Sequence, residues 1–141
     1  YSIDPNDIVL EITESASVLE KQILLQNMNE LRKIGVRFAL DDFGTGQSNL
    51  NYIVDMPIDI VKFDRGMTSA YFANGKGKPV MDAAMGMIQK LELEIVSEGI
   101  EQKEQFNKLD EMGIDYIQGY YFSKPRDGKE FISFIKNENN N

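Results

Sequence analysis

Apolar positions along the chain follow two alternating patterns. Short apolar runs end at a polar residue, which is typical of strands, and longer stretches carry apolar residues at helical spacing. The short runs predict five strands, at residues 8–10, 36–40, 58–64, 93–96 and 114–118. The longer stretches predict helices at residues 19–34, 50–53, 80–91, 102–112 and 130–135. Residues 66–79 are rich in glycine and contain a proline, so they predict a loop or a broken helix.

Strands and helices alternate through the whole chain, which predicts an α/β fold of parallel strands joined by crossover helices. In such sheets, side chains at the carboxyl ends of the strands project towards loops, and functional sites collect there. Six polar residues stand at predicted strand ends: Glu11, Asp41, Asp42, Lys62, Glu98 and Gln118. Taken singly, each has an ordinary structural explanation, such as an ion pair of Lys62 with Asp59 or Asp64. Their repeated coincidence with strand ends favours a functional site.

The stretch from residue 38 to 46 ends an apolar run at two adjacent carboxylates, Asp41 and Asp42, and continues as a glycine-containing turn. Neighbouring anions repel one another unless cations or hydrogen-bond donors hold them, so this pair is an unusual choice for stability alone. Two interpretations of the stretch stay open with equal weight. It is either part of a metal site or a surface turn with solvated aspartates, since Asp and Gly are common turn residues.

Composition narrows the chemistry that such a site can perform. The chain of 141 residues has no Cys and no His, which excludes disulfides, thiol or imidazole catalysis and the usual zinc ligands. Any metal here is therefore held by oxygen, which favours two Mg²⁺ or Mn²⁺ ions with Asp41 bridging them. Such a site suits hydrolysis of a phosphoester, in which Lys62 would help to hold the attacking hydroxide. An alternative is a Mg²⁺ barrel enzyme in which Lys62 acts as a base on a carbon acid.

Net charge and hydropathy limit the partners of the chain. The formal net charge is −8 and no basic cluster is present, so we expect no polymeric nucleic-acid partner. A small phosphorylated ligand stays open, because bound divalent ions can supply positive charge locally. No apolar run reaches about 18 residues and the first residues do not form a signal peptide, so we expect no membrane segment in this chain. We expect a cytoplasmic domain, or the cytoplasmic part of a larger membrane-bound protein.

Six motifs carry a resemblance to a known family. They are Glu11-Ile12-Thr13-Glu14, the Asp-Asp-Phe-Gly-Thr-Gly of residues 41–46, Lys62-Phe63-Asp64, Ser97-Glu98-Gly99-Ile100-Glu101, Gln118-Gly119-Tyr120 and Phe122-Ser123-Lys124-Pro125. In order and spacing, from residue 8 to residue 125, this set resembles the EAL domain family of bacterial cyclic-di-GMP phosphodiesterases. The resemblance implies a (β/α)₈ barrel that hydrolyses cyclic-di-GMP to linear pGpG with Mg²⁺ or Mn²⁺. This chain would supply about five parallel β/α units from the C-terminal part of that barrel.

The resemblance also implies roles for the acidic residues and the lysine at the strand ends. Glu11 would ligate one ion, and Asp41 would bridge both ions. Asp42 and Glu98 would ligate the second ion or orient water there. Lys62 would contact the nucleophilic water.

Further residues would surround this centre if the resemblance holds. Gln118, Glu101 and Asp64 would lie behind the metal ligands or against the substrate. Glu14 would tether the loop after the second strand, which in this family couples metal binding to dimer contacts. The matching loop residues are Phe43, Gly44, Thr45 and Gly46.

The sequence departs from the family pattern in ways that bear on activity. The Glu-Ala-Leu signature, with its metal-binding glutamate and nearby arginine, is absent, and so is an asparagine ligand that follows it. A complete barrel needs roughly 250 residues, so roughly 110 residues would lie upstream. We therefore assign residues 1–136 to the C-terminal portion of an EAL domain and expect a disordered tail over 137–141. Gln47 and Asn49 stand where the family usually has an aromatic residue and a serine.

Two functional hypotheses follow from the motifs and from these departures. The first is a cyclic-di-GMP phosphodiesterase that is competent in its full-length context, whereas the isolated chain would have little or no activity. The second is a catalytically inactive EAL-type module that binds cyclic-di-GMP or mediates regulatory contacts. In both cases the open sheet edge should be covered, either in a homodimer or by fused upstream domains.

Overall fold

The computed structural model describes residues 3–13, 18–45, 50–73 and 75–138, along which strands alternate with helices. The strands are β1 (Val9–Ile12), β2 (Arg37–Phe43), β3 (Ile60–Phe63), β4 (Glu94–Ser97) and β5 (Tyr116–Ile117). The helices are α1 (Val18–Lys33), α2 (Leu50–Asp55), α3 (Arg65–Phe72), α4 (Gly77–Lys90), α5 (Lys103–Glu111) and α6 (Gly128–Glu138), preceded by a 3₁₀ turn at Pro5–Asp7.

The five strands form one parallel sheet, and their order in space is their order in the sequence, from β1 to β5. A helix or a pair of helices follows each of the first four strands, which is the crossover that parallel pairing requires. Strand order that advances without reversal is that of a β/α barrel wall, because a doubly wound sheet reverses its order at a switch point. The predicted α/β fold with five parallel strands is confirmed.

The core is built around the central strand, β3, which is buried at all four of its positions. Val61 and Phe63 are completely buried, and the helices add Ile88 and Leu109, which are equally inaccessible. Removing each such side chain from water contributes roughly 1.5–3 kcal/mol. The one charged residue of this strand is Lys62, which is also buried. A buried charge needs partners that compensate it.

The segment of residues 66–79 contains the end of one helix and the start of another, which agrees with a broken helix. Helix α3 begins directly after β3, because the carboxylate of Asp64 accepts hydrogen bonds from the N–H groups of Gly66 and Met67 at 2.6 and 2.9 Å. Gly75 has a φ of +146°, which separates the two helices. Pro79 lies in the first turn of α4, where its missing N–H costs no hydrogen bond.

Some element boundaries differ from the sequence expectation. Strand β3 starts at Ile60, and β5 has only two residues, Tyr116 and Ile117, because pairing with β4 extends over those two positions. Helix α6 starts at Gly128 and extends to Glu138. The predicted disorder of the remaining residues, 139–141, falls outside the described residues.

Both edges of the sheet present apolar side chains to solvent. In β1, Val9 and Leu10 are 42% and 41% exposed, and in β5 Tyr116 is 51% exposed. Helix α6 adds Phe131 and Ile132, which are more than half exposed. The expectation that a second copy or further polypeptide covers the open sheet edge stays a prediction. Among the helices described, none is both long and apolar enough to cross a bilayer.

Candidate active site

Three carboxylates converge on the ammonium group of Lys62 at the carboxyl ends of the strands. Its Nζ lies 2.7 Å from Oε1 of Glu11, 2.9 Å from Oδ1 of Asp41 and 2.9 Å from Oε1 of Glu98. The Lys62 side chain is only 9% exposed, while the carboxylates are open to solvent to different degrees. One buried cation therefore faces three anions, and the cluster keeps an excess of negative charge.

The register of the sheet explains why these side chains meet. Lys62 pairs with Val96 of β4, and Glu98 lies two residues further on, towards the same face. The N–H of Glu98 still donates to the β3 carbonyl of Phe63 at 3.1 Å, which keeps the end of β4 against β3. Glu11 and Asp41 come from the two strands on the other side of β3, and all four strands run in parallel. Their carboxyl ends therefore lie at one edge of the sheet.

The cluster raises the pKa of Lys62. Burial favours the neutral amine and lowers the pKa, but hydrogen bonds from the ammonium to Glu11, Glu98 and Asp41 outweigh burial and shift the pKa above its ordinary value. Lys62 is therefore charged at neutral pH. A charged ammonium can donate hydrogen bonds but cannot accept a proton, which speaks against the alternative in which Lys62 is a base on a carbon acid.

Within the part of the chain that the structure describes, Lys62 pairs with neither Asp59 nor Asp64. Asp59 instead pairs with Arg32, whose Nη2 lies 3.1 Å from Oδ1 of Asp59. Asp64 caps α3, whereas the sequence predicts a place behind the metal ligands or against the substrate. Glu98 and Glu101 lie in the segment between β4 and α5, because that helix begins at Lys103.

Asp42 lies at an irregularity in β2, where the pairing with β3 shifts between Leu40 and Phe43. Its φ is +55°, a left-handed conformation that Asp tolerates better than most residues, and its side chain is exposed. The carbonyl oxygen of Asp42 accepts hydrogen bonds from the N–H and the hydroxyl of Thr45, at 3.2 and 2.9 Å. Within the described ranges, the Asp42 carboxylate is not among those that contact Lys62.

The loop after β2 begins in the core and turns at a glycine. The buried ring of Phe43 packs on the ring of Phe63, with 5.8 Å between their centroids. Gly44 has a φ of +106°, and a Cβ there would lie 2.9 Å from Sδ of Met67, so a larger residue would be strained. Four residues that the sequence analysis singled out near this loop lie outside the described residues: Glu14, Gly46, Gln47 and Asn49.

A small cleft adjoins the Lys62 cluster and contains the remaining predicted site residues. It has a volume of about 180 Å³ and is lined by Arg65, Glu98, Gly99, Glu101, Gln118, Gly119 and Tyr120. Gln118 is exposed, so its amide is available to a ligand. Glu101 accepts a hydrogen bond at 2.7 Å from Nη2 of Arg65. The structure thus brings Glu98, Glu101 and Gln118 to one cleft.

Sequence reasoning missed Arg65 and a buried hydroxyl pair near Glu98. Thr68 Oγ1 and Ser97 Oγ lie 3.0 Å apart, and both residues are at most 1% exposed. This contact joins the first turns of α3 to the last residue of β4. A polar residue at an inward strand position could have drawn attention to Ser97, but nothing in the sequence indicates its partner or the role of Arg65.

The donor chemistry of the cluster fits a hard divalent cation. Glu11, Asp41 and Glu98 each contact Lys62 through one oxygen, and a carboxylate has a second oxygen that can ligate an ion. In residues 3–13, 18–45, 50–73 and 75–138, no group of three or more acidic side chains is arranged to hold a metal ion. Glu11, Asp41 and Glu98 instead contact the ammonium of Lys62.

The fold and the cluster define a β/α-barrel type of domain with an acidic site at the carboxyl ends of its strands. Comparison with known families identifies the domain further. A sequence model of the EAL domain matches residues 1–125, so the chain belongs to the EAL domain family.

Curated relatives support this assignment. The chain is 40% identical to the probable cyclic di-GMP phosphodiesterase PdeG of Escherichia coli (strain K12), over 84% of the chain and 24% of that protein. It is 39% identical to the probable cyclic di-GMP phosphodiesterase PdeN of the same organism, over 92% of the chain and 25% of that protein. The chain thus spans about a quarter of the length of these relatives.

Solved structures share the fold. The EAL enzyme Bd1971, with cAMP and cyclic-di-GMP bound, superposes with a TM-score of 0.87 at 34% identity, over 95% of this chain and 35% of that chain. A manganese and cyclic-di-GMP complex of BlrP1 from Klebsiella pneumoniae superposes with a TM-score of 0.77 at 27% identity, over 87% of this chain and 31% of that chain. Bd1971 is an EAL enzyme, and EAL domains have TIM-barrel-like folds.

Proposed function

We propose that the protein containing this chain is a cyclic-di-GMP phosphodiesterase that hydrolyses one phosphodiester bond of cyclic-di-GMP to give linear pGpG. The observation that carries the proposal is the convergence of Glu11, Asp41 and Glu98 on Lys62, at 2.7 to 2.9 Å, at the carboxyl ends of neighbouring strands. The names of PdeG and PdeN and the ligands of Bd1971 and BlrP1 point to the same substrate.

Three acidic residues of the Lys62 cluster and the neighbouring Asp42 would hold two Mg²⁺ or Mn²⁺ ions in the active enzyme. Glu11, Asp41, Asp42 and Glu98 are the proposed ligands, because carboxylate oxygens suit hard cations and the cluster has an excess of negative charge. When bound, such ions lower the pKa of a water molecule and neutralise charge on the phosphate oxygens. The manganese complex of BlrP1 supports a divalent ion as the cofactor.

Lys62 would act through its permanent charge. Because its ammonium group is buried and held by three carboxylates, it stays protonated and keeps a fixed position between the strands. There it orders Glu11, Asp41 and Glu98, which take up all three of its N–H donors. It would donate a hydrogen bond to the attacking water once one of these carboxylates turns away. A group that is already in place when charge develops lowers the reaction barrier without reorganisation.

The cleft beside the cluster would bind the rest of the substrate. Its walls offer the amide of Gln118, the carboxylate of Glu101 and the exposed ring of Tyr120. These groups can contact a nucleotide by hydrogen bonding and stacking. We further propose a cytoplasmic protein that acts as a homodimer or as part of a longer polypeptide with upstream regulatory domains.

The test is a hydrolysis assay on the full-length protein with cyclic-di-GMP and Mg²⁺ or Mn²⁺. We expect pGpG as the product, and we expect Asp41→Asn to lower kcat about 100-fold or more, since it removes a charge from the reacting centre. Lys33→Ala is a matched control because it removes an exposed ion pair with Glu30 on α1.

Two results would contradict the proposal. The first is the absence of pGpG, and the second is an unchanged rate in Asp41→Asn. Tight binding of cyclic-di-GMP by calorimetry without turnover would instead support the alternative of an inactive binding module.

A further inference from the structure

Arg65 is an exposed residue whose position is nevertheless well defined. It is the first residue of α3 and comes three positions after Lys62, just beyond the end of β3. The cap at Asp64, which accepts from the N–H groups of Gly66 and Met67, fixes the backbone on both sides of it. Its side chain is 67% exposed, so burial alone does not explain its conformation.

The side chain of Arg65 crosses the backbone at Gly99. Gly99 has a φ of +80°, a conformation that favours glycine, and a Cβ at this position would clash with Cγ and Cβ of Arg65. The aliphatic part of Arg65 therefore packs on the segment that links Glu98 to Glu101. Contact of α3 with this segment is possible because residue 99 has no side chain.

The guanidinium group ends at Glu101. Nη2 of Arg65 lies 2.7 Å from Oε1 of Glu101, and the backbone N–H of Glu101 donates to Oε1 of Gln105 at 3.0 Å. The carboxylate of Glu101 is thus restrained at its tip by Arg65, while its backbone is restrained by the first turn of α5. Charge-assisted hydrogen bonds of this kind are stronger than those between neutral groups.

This pair forms part of the wall of the 180 Å³ cleft, which also contains Glu98 and Gln118. We infer that Arg65 is a positioning residue that holds the Glu101 carboxylate in this cleft for the binding of cyclic-di-GMP, an inference that rests on the proposed function. Without Arg65, the carboxylate of Glu101 would move freely. Its uncompensated charge would also repel the phosphates of the ligand.

The test measures kcat and KM for cyclic-di-GMP with the full-length protein and its variants. We expect Arg65→Ala to raise KM about two- to fivefold, in line with the loss of one exposed ion pair, while kcat and the midpoint of thermal unfolding stay unchanged. Arg65→Lys should recover part of the loss, because a lysine keeps the charge but not the planar group. Lys33→Ala, which removes the similarly exposed pair with Glu30, should leave KM and kcat unchanged.

Substituting both Arg65 and Glu101 shows whether Arg65 acts by positioning Glu101 or contacts the substrate independently. If Arg65 acts through Glu101, Arg65→Ala should have no further effect on KM in a Glu101→Ala background. An unchanged KM in Arg65→Ala overturns the inference, and so does a joint fall of kcat and thermal stability, which indicates a structural role. If the wild-type protein produces no pGpG, the proposed function fails, and the same comparison made on the calorimetric Kd tests the positioning role by itself.

Discussion

The two ends of the parallel sheet carry charge in different ways. At the amino ends of the strands, two ion pairs each join one arginine to one carboxylate. Nη2 of Arg37 lies 2.6 Å from Oε2 of Glu94, and a second pair joins Arg32 to Asp59. At the carboxyl ends, the single ammonium group of Lys62 is shared by three carboxylates.

Backbone hydrogen bonds extend this contrast. At the amino ends, Asp59 accepts from the N–H of Phe38 and Asp115 accepts from the N–H of Ile95, both at 2.8 Å. Each carboxylate there fixes the start of a neighbouring strand, so the residues serve the fold. At the carboxyl ends, Asp42 is instead exposed in a left-handed conformation.

The difference separates charges that stabilise the sheet from charges that are available for a ligand. Matched pairs need no further partner, whereas unmatched carboxylates raise the free energy of the folded state until a cation binds. Functional sites commonly carry such a stability cost. The excess of carboxylates over cations at the carboxyl ends therefore indicates the functional site more clearly than the number of acidic residues does.

The largest effect is expected when the shared cation is removed. Lys62→Met keeps the length of the side chain but leaves three carboxylates facing one another, so we expect the free energy of unfolding to fall by roughly 3–5 kcal/mol and hydrolysis to be lost. Urea denaturation of the full-length protein measures the first effect. Mg²⁺ or Mn²⁺ should restore part of the stability, because cations would replace the ammonium. An unchanged free energy of unfolding in Lys62→Met would show that the unmatched carboxylates do not destabilise the folded state.

An intermediate effect is expected at the neutral pair beside the acidic cluster. Ser97→Ala or Thr68→Val leaves one buried hydroxyl without its partner, which costs roughly 1–3 kcal/mol. The double variant should lose less than the sum of the two single losses, since no unpaired hydroxyl remains. Thermal or urea unfolding of the three variants gives the coupling, and strictly additive losses would argue against the observed contact.

A smaller effect is expected at the amino ends of the strands. Arg37→Met removes the pair with Glu94, in which both side chains are 35% exposed, so we expect a loss of about 1 kcal/mol or less. The loss should shrink at high salt, and kcat and KM should not change. A drop in kcat similar to that of Lys62→Met would mean that the two ends of the sheet are not functionally distinct.

The smallest expected effect is the change with pH in the stability that Lys62 contributes. The folded-state pKa of Lys62 is raised, so its stabilising contribution is complete below the unfolded-state pKa and is lost only as pH rises through the folded-state pKa. The stability difference between wild type and Lys62→Met should therefore be constant from pH 6 to 9 and narrow only above about pH 10.4, the ordinary pKa of lysine. A difference that narrows near neutral pH would contradict the assignment.

Much of the fold could be predicted from the sequence, because strand and helix periodicities are local properties. The apolar runs located all five strands, and the polar residues that end them pointed to one edge of the sheet. Boundaries were less accurate where pairing decides them, as in β5, whose two residues are those that pair with β4. For the segment that contains α3, the sequence predicted a loop or a broken helix without the position of the helix. The start of α3 is set by the cap at Asp64, which depends on geometry rather than on composition.

The candidate site was predicted in outline but not in its contacts. That Glu11, Asp41, Lys62 and Glu98 belong together follows from their places in the pattern of strands and in the family motifs. That Lys62 contacts three of the carboxylates, while Asp42 turns to solvent, depends on the sheet register and on the irregularity in β2. The pairing of Arg65 with Glu101 likewise requires the start of α3 to approach the loop at Gly99.

The sequence by itself thus determined the α/β class, the parallel order of units and the edge of the sheet at which chemistry can take place. Only the tertiary structure decided which charges are matched and which remain available for a ligand. The physical reason is that periodicity is encoded within a few neighbouring residues. Electrostatic pairing depends on distances between side chains that are far apart in the chain, such as Lys62 and Glu11.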